Sequence, residues 1–203
     1  MDKLTIILEP KKENIKKAAL VLKKGGLIIY PTESSYAIGC DFTNDKAVEQ
    51  LCRVKNRKKA KHLTVIVPDI ETAKKYGKID KISELLVHRF MPGPLTLAVA
   101  GKGRFEEFNF RISSNHIALK LAKIFGKPIV ATSANISGEE NIYDSKELAM
   151  FFGKVDVIID AGMLPKSVVS TVAEVKSKKI RIHREGAIPV ENIIAVLKSQ
   201  KTI

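Results

Sequence analysis

A chain of 203 residues, 45% hydrophobic and 28% charged, has enough apolar material for one substantial core. No apolar run nears the roughly 20 residues of a membrane-spanning helix, and charged residues occupy the N-terminus where a signal peptide would be apolar, so a cytoplasmic chain folding as a single domain over 1–203, with no membrane partner, is expected. The formal net charge of +13 points either to an anionic partner, whether nucleotide, RNA or acidic protein, or to a lysine-rich solvated surface.

Thr5 to Leu8 reads as a short strand, ended by Pro10. Ile15, Ala18, Ala19 and Leu22 then recur at helical spacing and define one apolar face, with Lys11, Lys12, Lys16, Lys17, Lys23 and Lys24 toward solvent. Gly25-Gly26 closes that helix, and Leu27 to Tyr30 is the continuous apolar run of a strand buried on both faces. Pro31 fixes φ and lacks an N–H, so the chain is expected to leave the sheet near Thr32, where Thr32, Ser34 and Ser35 cluster. Ligands collect beyond such strand ends in open α/β sheets. Tyr36 to Asp41 is a second extended piece, and Thr43 or Asn44 can cap a helix that buries Ala47, Leu51 and Val54. At its end runs Lys55-Asn56-Arg57-Lys58-Lys59-Ala60-Lys61, able to meet phosphate with a guanidinium fork and several ammonium groups. The helix dipole also favours cations there, so a solvated helix end fits equally.

Leu63 to Val67 reads as a buried strand stopped by Pro68, and Ile79 to Phe90 as a helix with Ile82, Leu85, Leu86 and Phe90 inward, broken by Met91-Pro92-Gly93-Pro94. A strand Leu95 to Val99 follows. Phe108 to Ile112 alternates like a strand with one covered face and puts Arg111 on the face opposite Phe110. Ile117 to Phe125 is helical, with Gly126 as its C-terminal cap. Pro128 to Gly138 repeats the earlier pattern, a proline-led apolar strand delivering Thr132, Ser133, Asn135 and Ser137 to its end. A helix over Asp144 to Phe152, strands over Val155 to Ile159, Val168 to Val175 and Ile180 to His183, and a closing helix with Ile193, Val196 and Leu197 inward complete the chain. Helices and strands interleave, and several strands lie too close for every link to be a helical crossover. An α/β fold with a mixed, twisted β-sheet and flanking helices is therefore expected.

Cys40 and Cys52 are too few for a disulfide framework and too far apart for a Cys-x-x-Cys motif, so both read as small core residues. His62, His88, His116 and His183 lack metal-site spacing, and no metal is expected to be held by the protein itself. Walker A and Gly-x-Gly-x-x-Gly loops are missing, as is a nucleophile elbow.

Pro31-Thr32-Glu33-Ser34-Ser35-Tyr36, Lys55-x-Arg57, Met91-Pro92-Gly93-Pro94-Leu95-Thr96, Arg111, Ser133-Ala134-Asn135-x-Ser137-Gly138, Ser170-Thr171-Val172 and Arg184-x-Gly186-Ala187 fall in the order found in the YrdC/TsaC family, which the chain resembles from about Leu20 to Ile188. The resemblance implies a YrdC-like fold with a concave electropositive cavity, in a short form without the extra C-terminal domain of longer relatives. It implies synthesis of threonylcarbamoyl-AMP and pyrophosphate from L-threonine, bicarbonate and ATP, an intermediate that downstream proteins use to modify adenosine 37 of certain tRNAs. By the same resemblance Lys55, Arg57, Ser133 and Asn135 are the catalytic set. Thr32, Arg111, Ala131 and Ser170 would bind threonine, Arg111 through its carboxylate. Arg57, Lys61, Ser133, Asn135 and Arg184 would bind ATP, with Mg²⁺ arriving on the nucleotide.

The chain departs from the family where Lys58 replaces a proline and Lys61-His62-Leu63 stands in place of Asn-Pro-Leu. Lys61 could replace the missing Asn with a charge to phosphate. That segment keeps open a carbamoyl- or acyl-adenylate enzyme with another substrate, and the net charge of +13 keeps open an RNA-binding YrdC/YciO-like paralogue. Ser133 and Asn135, which the YciO branch usually lacks, favour the synthase, alongside which a weak tRNA contact is compatible. Aromatic content of 6% argues against base stacking.

Overall fold

The structure is a computed structural model that describes residues 4–57, 62–177 and 179–199. In chain order the elements are β1 (Ile6–Leu8), α1 (Lys12–Lys23), β2 (Ile28–Pro31), β3 (Tyr36–Gly39), α2 (Asp45–Val54), β4 (Thr64–Ile66), α3 (Ile70–Tyr76), α4 (Lys81–Phe90), β5 (Leu95–Ala100), β6 (Glu107–Arg111), α5 (His116–Phe125), β7 (Ile129–Val130), β8 (Thr132–Ser133), a 3-10 helix (Ser145–Phe151), β9 (Val157–Ile159), β10 (Thr171–Lys176), β11 (Lys179–Arg184) and α6 (Val190–Ser199).

The α/β class, mixed pairing and flanking helices are as expected, but the strands divide between two sheets, ordered β1-β9-β2-β3-β8 and β11-β10-β5-β6-β4-β7. The proline-led strand at 128 causes the division. Ile129 and Val130 pair antiparallel with β4 in the larger sheet, while Thr132 and Ser133 pair with β3 in the smaller one. Ala131 is the crossing point, so this short segment fixes where the two sheets meet.

Burial follows the sequence pattern. On β2, Ile28 and Tyr30 pack with Ile15 and Leu22 of α1 and Leu121 and Phe125 of α5. Ile29, on the other face, joins Leu51, Val65, Leu97, Phe108 and Phe110 in the main core. A strand in that position must be apolar at every residue, which Leu27 to Tyr30 is. Asn44 caps α2, its side-chain oxygen accepting from the Ala47 N–H at 3.2 Å. Gly126 ends α5 at φ 77°, a left-handed value that favours glycine.

One expectation stands, since Pro31 is the last paired residue of β2 and the chain leaves the sheet at Thr32. Several others are corrected. Helix α3, capped by Asp69 through the Thr72 N–H at 2.7 Å, had no apolar periodicity long enough to announce it. The segment from Asp144 forms a 3-10 helix, and β10 starts only at Thr171 because Val168 is exposed. Residues 108–111 are buried on both faces, since the β2–β3 hairpin loop covers the side of β6 that carries Arg111.

Candidate functional site

The hairpin loop after β2 is built by Thr32. Its hydroxyl donates to the Ser35 carbonyl at 2.8 Å and accepts from the Ser34 and Ser35 N–H groups at 3.2 and 3.3 Å. This closed turn aims Glu33 and Ser34 at the end of β6. There Arg111 Nη1 lies 3.0 Å from Glu33 Oε1 and donates to Ser34 Oγ at 3.3 Å. The Ser113 hydroxyl donates to Glu33 Oε2. The Arg111 and Glu33 side chains are only 8% and 12% exposed, so the pair sits largely out of water and is poorly screened. Arg111 Nε and Glu33 Oε1 have no hydrogen-bond partner among the described residues, so the 3.0 Å approach is charge contact rather than a directed hydrogen bond.

A second guanidinium arrives from β11. Arg184 donates from Nε and Nη2 to the Ser170 carbonyl at 3.1 and 2.9 Å, and from Nη2 to Ser170 Oγ at 3.3 Å. The Ser170 and Thr96 hydroxyls share a hydrogen bond at 3.2 Å. Burial, and then the charge of Arg111, lower the pKa of Arg184. Gly186 keeps this wall close, because a Cβ there would meet the Val169 carbonyl oxygen at 2.1 Å.

The third wall is the loop after β8, held from behind by Lys55. The Lys55 ammonium donates to the Ser133 carbonyl, to the Asn135 carbonyl at 2.8 Å and to Asn135 Oδ1 at 2.9 Å. All three of its protons are thereby used. Asn135 Oδ1 also accepts from the Ser133 hydroxyl at 2.7 Å, and its Nδ2 donates to the Glu139 carbonyl at 2.5 Å. Lys55 is 2% exposed, and burial first and Arg57 second lower its pKa to about 8.

Between these walls lies a cleft of about 210 Å³, lined by Thr32, Arg111, Ala131, Ser133, Ser170 and Arg184 together with Ser34 and Thr96. Six of the residues singled out in the sequence therefore converge. Lys55 and Asn135 do not line it but sit behind Ser133. Arg57 follows directly, its N–H bonded to the Cys52 carbonyl at 2.9 Å, with its charge close enough to act on Lys55 and its side chain outside the cleft lining. Lys61 lies outside the described residues. Glu33, Ser34, Thr96 and Ser113 were not assigned roles from sequence. The signal available was a carboxylate set among hydroxyls directly after a strand, and Glu33 and Thr96 stand inside the quoted motifs.

The Sua5_yciO_yrdC family model, described as telomere recombination, matches residues 20–186. The chain is 31% identical over 208 residues to a threonylcarbamoyl-AMP synthase of Pyrococcus abyssi, an alignment that takes in 96% of this chain and 61% of that protein. It is 31% identical over 203 residues to a putative threonylcarbamoyl-AMP synthase of Methanocaldococcus jannaschii, with 95% and 97% covered. A crystal structure of P. abyssi Sua5 complexed with L-threonine matches at a TM-score of 0.87 and 29% identity, over 97% of this chain and 61% of that one. The chain thus spans less than two thirds of the P. abyssi proteins it matches.

Proposed function

The chain belongs to the Sua5/YciO/YrdC family, and we propose that it is an L-threonylcarbamoyladenylate synthase, a nucleotidyltransferase making threonylcarbamoyl-AMP and pyrophosphate from L-threonine, bicarbonate and ATP. One observation carries the reading. Arg111, Arg184, Ser170, Thr32 and Ser133 meet in one cleft where two sheets join, with two guanidinium groups facing a set of hydroxyls.

The cleft's size supports an amino-acid subsite. Its volume of about 210 Å³ falls short of the roughly 300–1,000 Å³ of pockets for drug-sized ligands. Arg111 meets the threonine carboxylate, and the Ser170 and Thr32 walls position the rest. The amine nitrogen then bonds to the bicarbonate carbon, a C–O bond breaks, and water leaves. A carbamate oxygen next attacks the α-phosphorus, and the bond to the bridging oxygen breaks to release pyrophosphate. Carbamate is short-lived in water, so holding it against the nucleotide is a problem of positioning and water exclusion.

The nucleotide extends from the cleft along the Ser133–Asn135 loop, with Arg184 on the opposite wall. Lys55 serves by fixing that loop, since its protons are already committed. Arg57 offers positive charge to the α-phosphate, a preorganised donor worth roughly 2–4 kcal/mol in the transition state. Mg²⁺ comes with ATP. Glu33, the carboxylate beside the cleft, is committed to Arg111 and Ser113, so the ion's ligands would be phosphate oxygens and water. The adenylate would pass to the proteins that modify tRNA adenosine 37, with any tRNA contact weak. No helix among the described residues is long and apolar enough to cross a membrane.

The test is pyrophosphate release from ATP by the purified protein. Release is expected only with threonine and bicarbonate together. Release that continues without threonine overturns the reading.

A further inference from the structure

The proposed reaction asks for no acid beside the carboxylate-binding arginine, yet Glu33 is held there by three separate contacts. Its Oε1 lies 3.0 Å from Arg111 Nη1, its Oε2 accepts from Ser113, and the Ser167 hydroxyl donates to its carbonyl at 2.7 Å. The acid is thus fixed in place, at 12% side-chain exposure.

Its effect on the cleft is one of charge. Arg111 and Arg184 bring two positive charges to opposite walls, and burial first and the charge of Arg111 second lower the pKa of Arg184. Two guanidinium groups facing one cleft are a phosphate site by default, because a polyanion satisfies both at once. ATP and pyrophosphate are both polyanions and both pass beside this cleft. We propose that Glu33 is a specificity-determining residue: by neutralising the charge of Arg111 it leaves the Arg111 end of the cleft fit for a single carboxylate and unfit for phosphate, which belongs farther along by Ser133 and Arg184. The acid is the repulsive element that keeps an amino-acid subsite from being filled by the reaction's other anions. This rests on the synthase reading for the identity of the carboxylate, but not for the charge argument.

The experiment titrates inorganic phosphate and, separately, L-threonine into the full chain by calorimetry. Glu33→Gln keeps size and removes charge. It is expected to raise phosphate affinity about tenfold or more, the scale of a charge-assisted contact, with phosphate now competing against threonine. Ser113→Ala retains the charge and is expected to keep phosphate from competing with threonine, as in the wild type. Adding Arg184→Gln to Glu33→Gln removes the second guanidinium and should abolish the gain. Ser34→Asp, at a half-buried position beside Arg111, works in the other direction and should weaken threonine about tenfold by setting a second carboxylate against Arg111. This variant keeps the idea testable should Glu33→Gln fail to fold. Phosphate affinity unchanged in folded Glu33→Gln, or threonine affinity unchanged in Ser34→Asp, overturns the proposal. A wild type that binds no threonine sinks the synthase reading instead, while the phosphate arm still reads Glu33.

Discussion

Lys55 and Asn135 hold each other inside the protein across 80 residues of sequence, the ammonium donating to the amide oxygen at 2.9 Å and to the carbonyl of the same residue at 2.8 Å. A lysine at a helix end would ordinarily reach water. Here it is the rear support of the loop that carries Ser133.

Lys55→Met should therefore damage the loop before it damages any ligand contact. It leaves the Ser133 and Asn135 carbonyls and Asn135 Oδ1 without this donor, at roughly 1–3 kcal/mol for each acceptor left unsatisfied. Urea unfolding should show a lowered midpoint, and ATP affinity should fall with it.

The same lysine gives a pH signature. Its pKa is lowered to about 8, against 10.5 for the unfolded chain, by burial first and Arg57 second. Between those values the unfolded state holds more protons, so Lys55's contribution to stability rises as pH climbs from about 8 toward 10.5. Below about 8 both states are protonated and the contribution is flat. Losing a proton also removes one of the three donors that hold the loop, so ATP affinity should weaken above that pH. NMR titration of the lysine side chains should find one group changing near 8, and calorimetry across the range checks the affinity.

Arg111→Ala strands the Glu33 carboxylate with little access to water, and breaking such a pair costs about 3–5 kcal/mol when one partner is removed. The double variant Glu33→Gln/Arg111→Gln should recover a good part of that stability while binding no threonine. A double-mutant cycle on urea midpoints reads the coupling, and calorimetry reads the threonine loss.

Gly186→Ala probes the Arg184 wall without replacing a polar side chain. The added Cβ would meet backbone at 2.1 Å from the Val169 oxygen and 2.7 Å from the Ser170 carbonyl carbon, so the strand start must move. Threonine affinity is expected to drop about tenfold or more through displaced Ser170 and Arg184, with far-ultraviolet circular dichroism preserved.

Ser133→Ala should separate the two substrates. It removes the hydroxyl that lines the cleft and bonds Asn135 Oδ1 at 2.7 Å, so ATP affinity should weaken by about 1–2 kcal/mol while threonine affinity changes less. Equal losses for both ligands would mean that the loop serves the cleft as a whole.

Local pattern in the sequence determined the helices α1, α2, α4, α5 and α6, the doubly buried strand before Thr32, and the strand end that brings Ser133 to the cleft, because periodicity and capping act over a few residues. Arg111's side of β6 was legible for the same reason; its burial was not. That burial depends on a hairpin loop nearly eighty positions earlier folding over it, and the Glu33 contact, the inward turn of Lys55 and the sheet change at Ala131 likewise depend on which strands become neighbours. Strand order is set by the collective packing of both sheets, and side-chain alternation along one strand carries no record of its partner. Tertiary structure alone decided which polar groups share a wall, and so which charges the cleft presents.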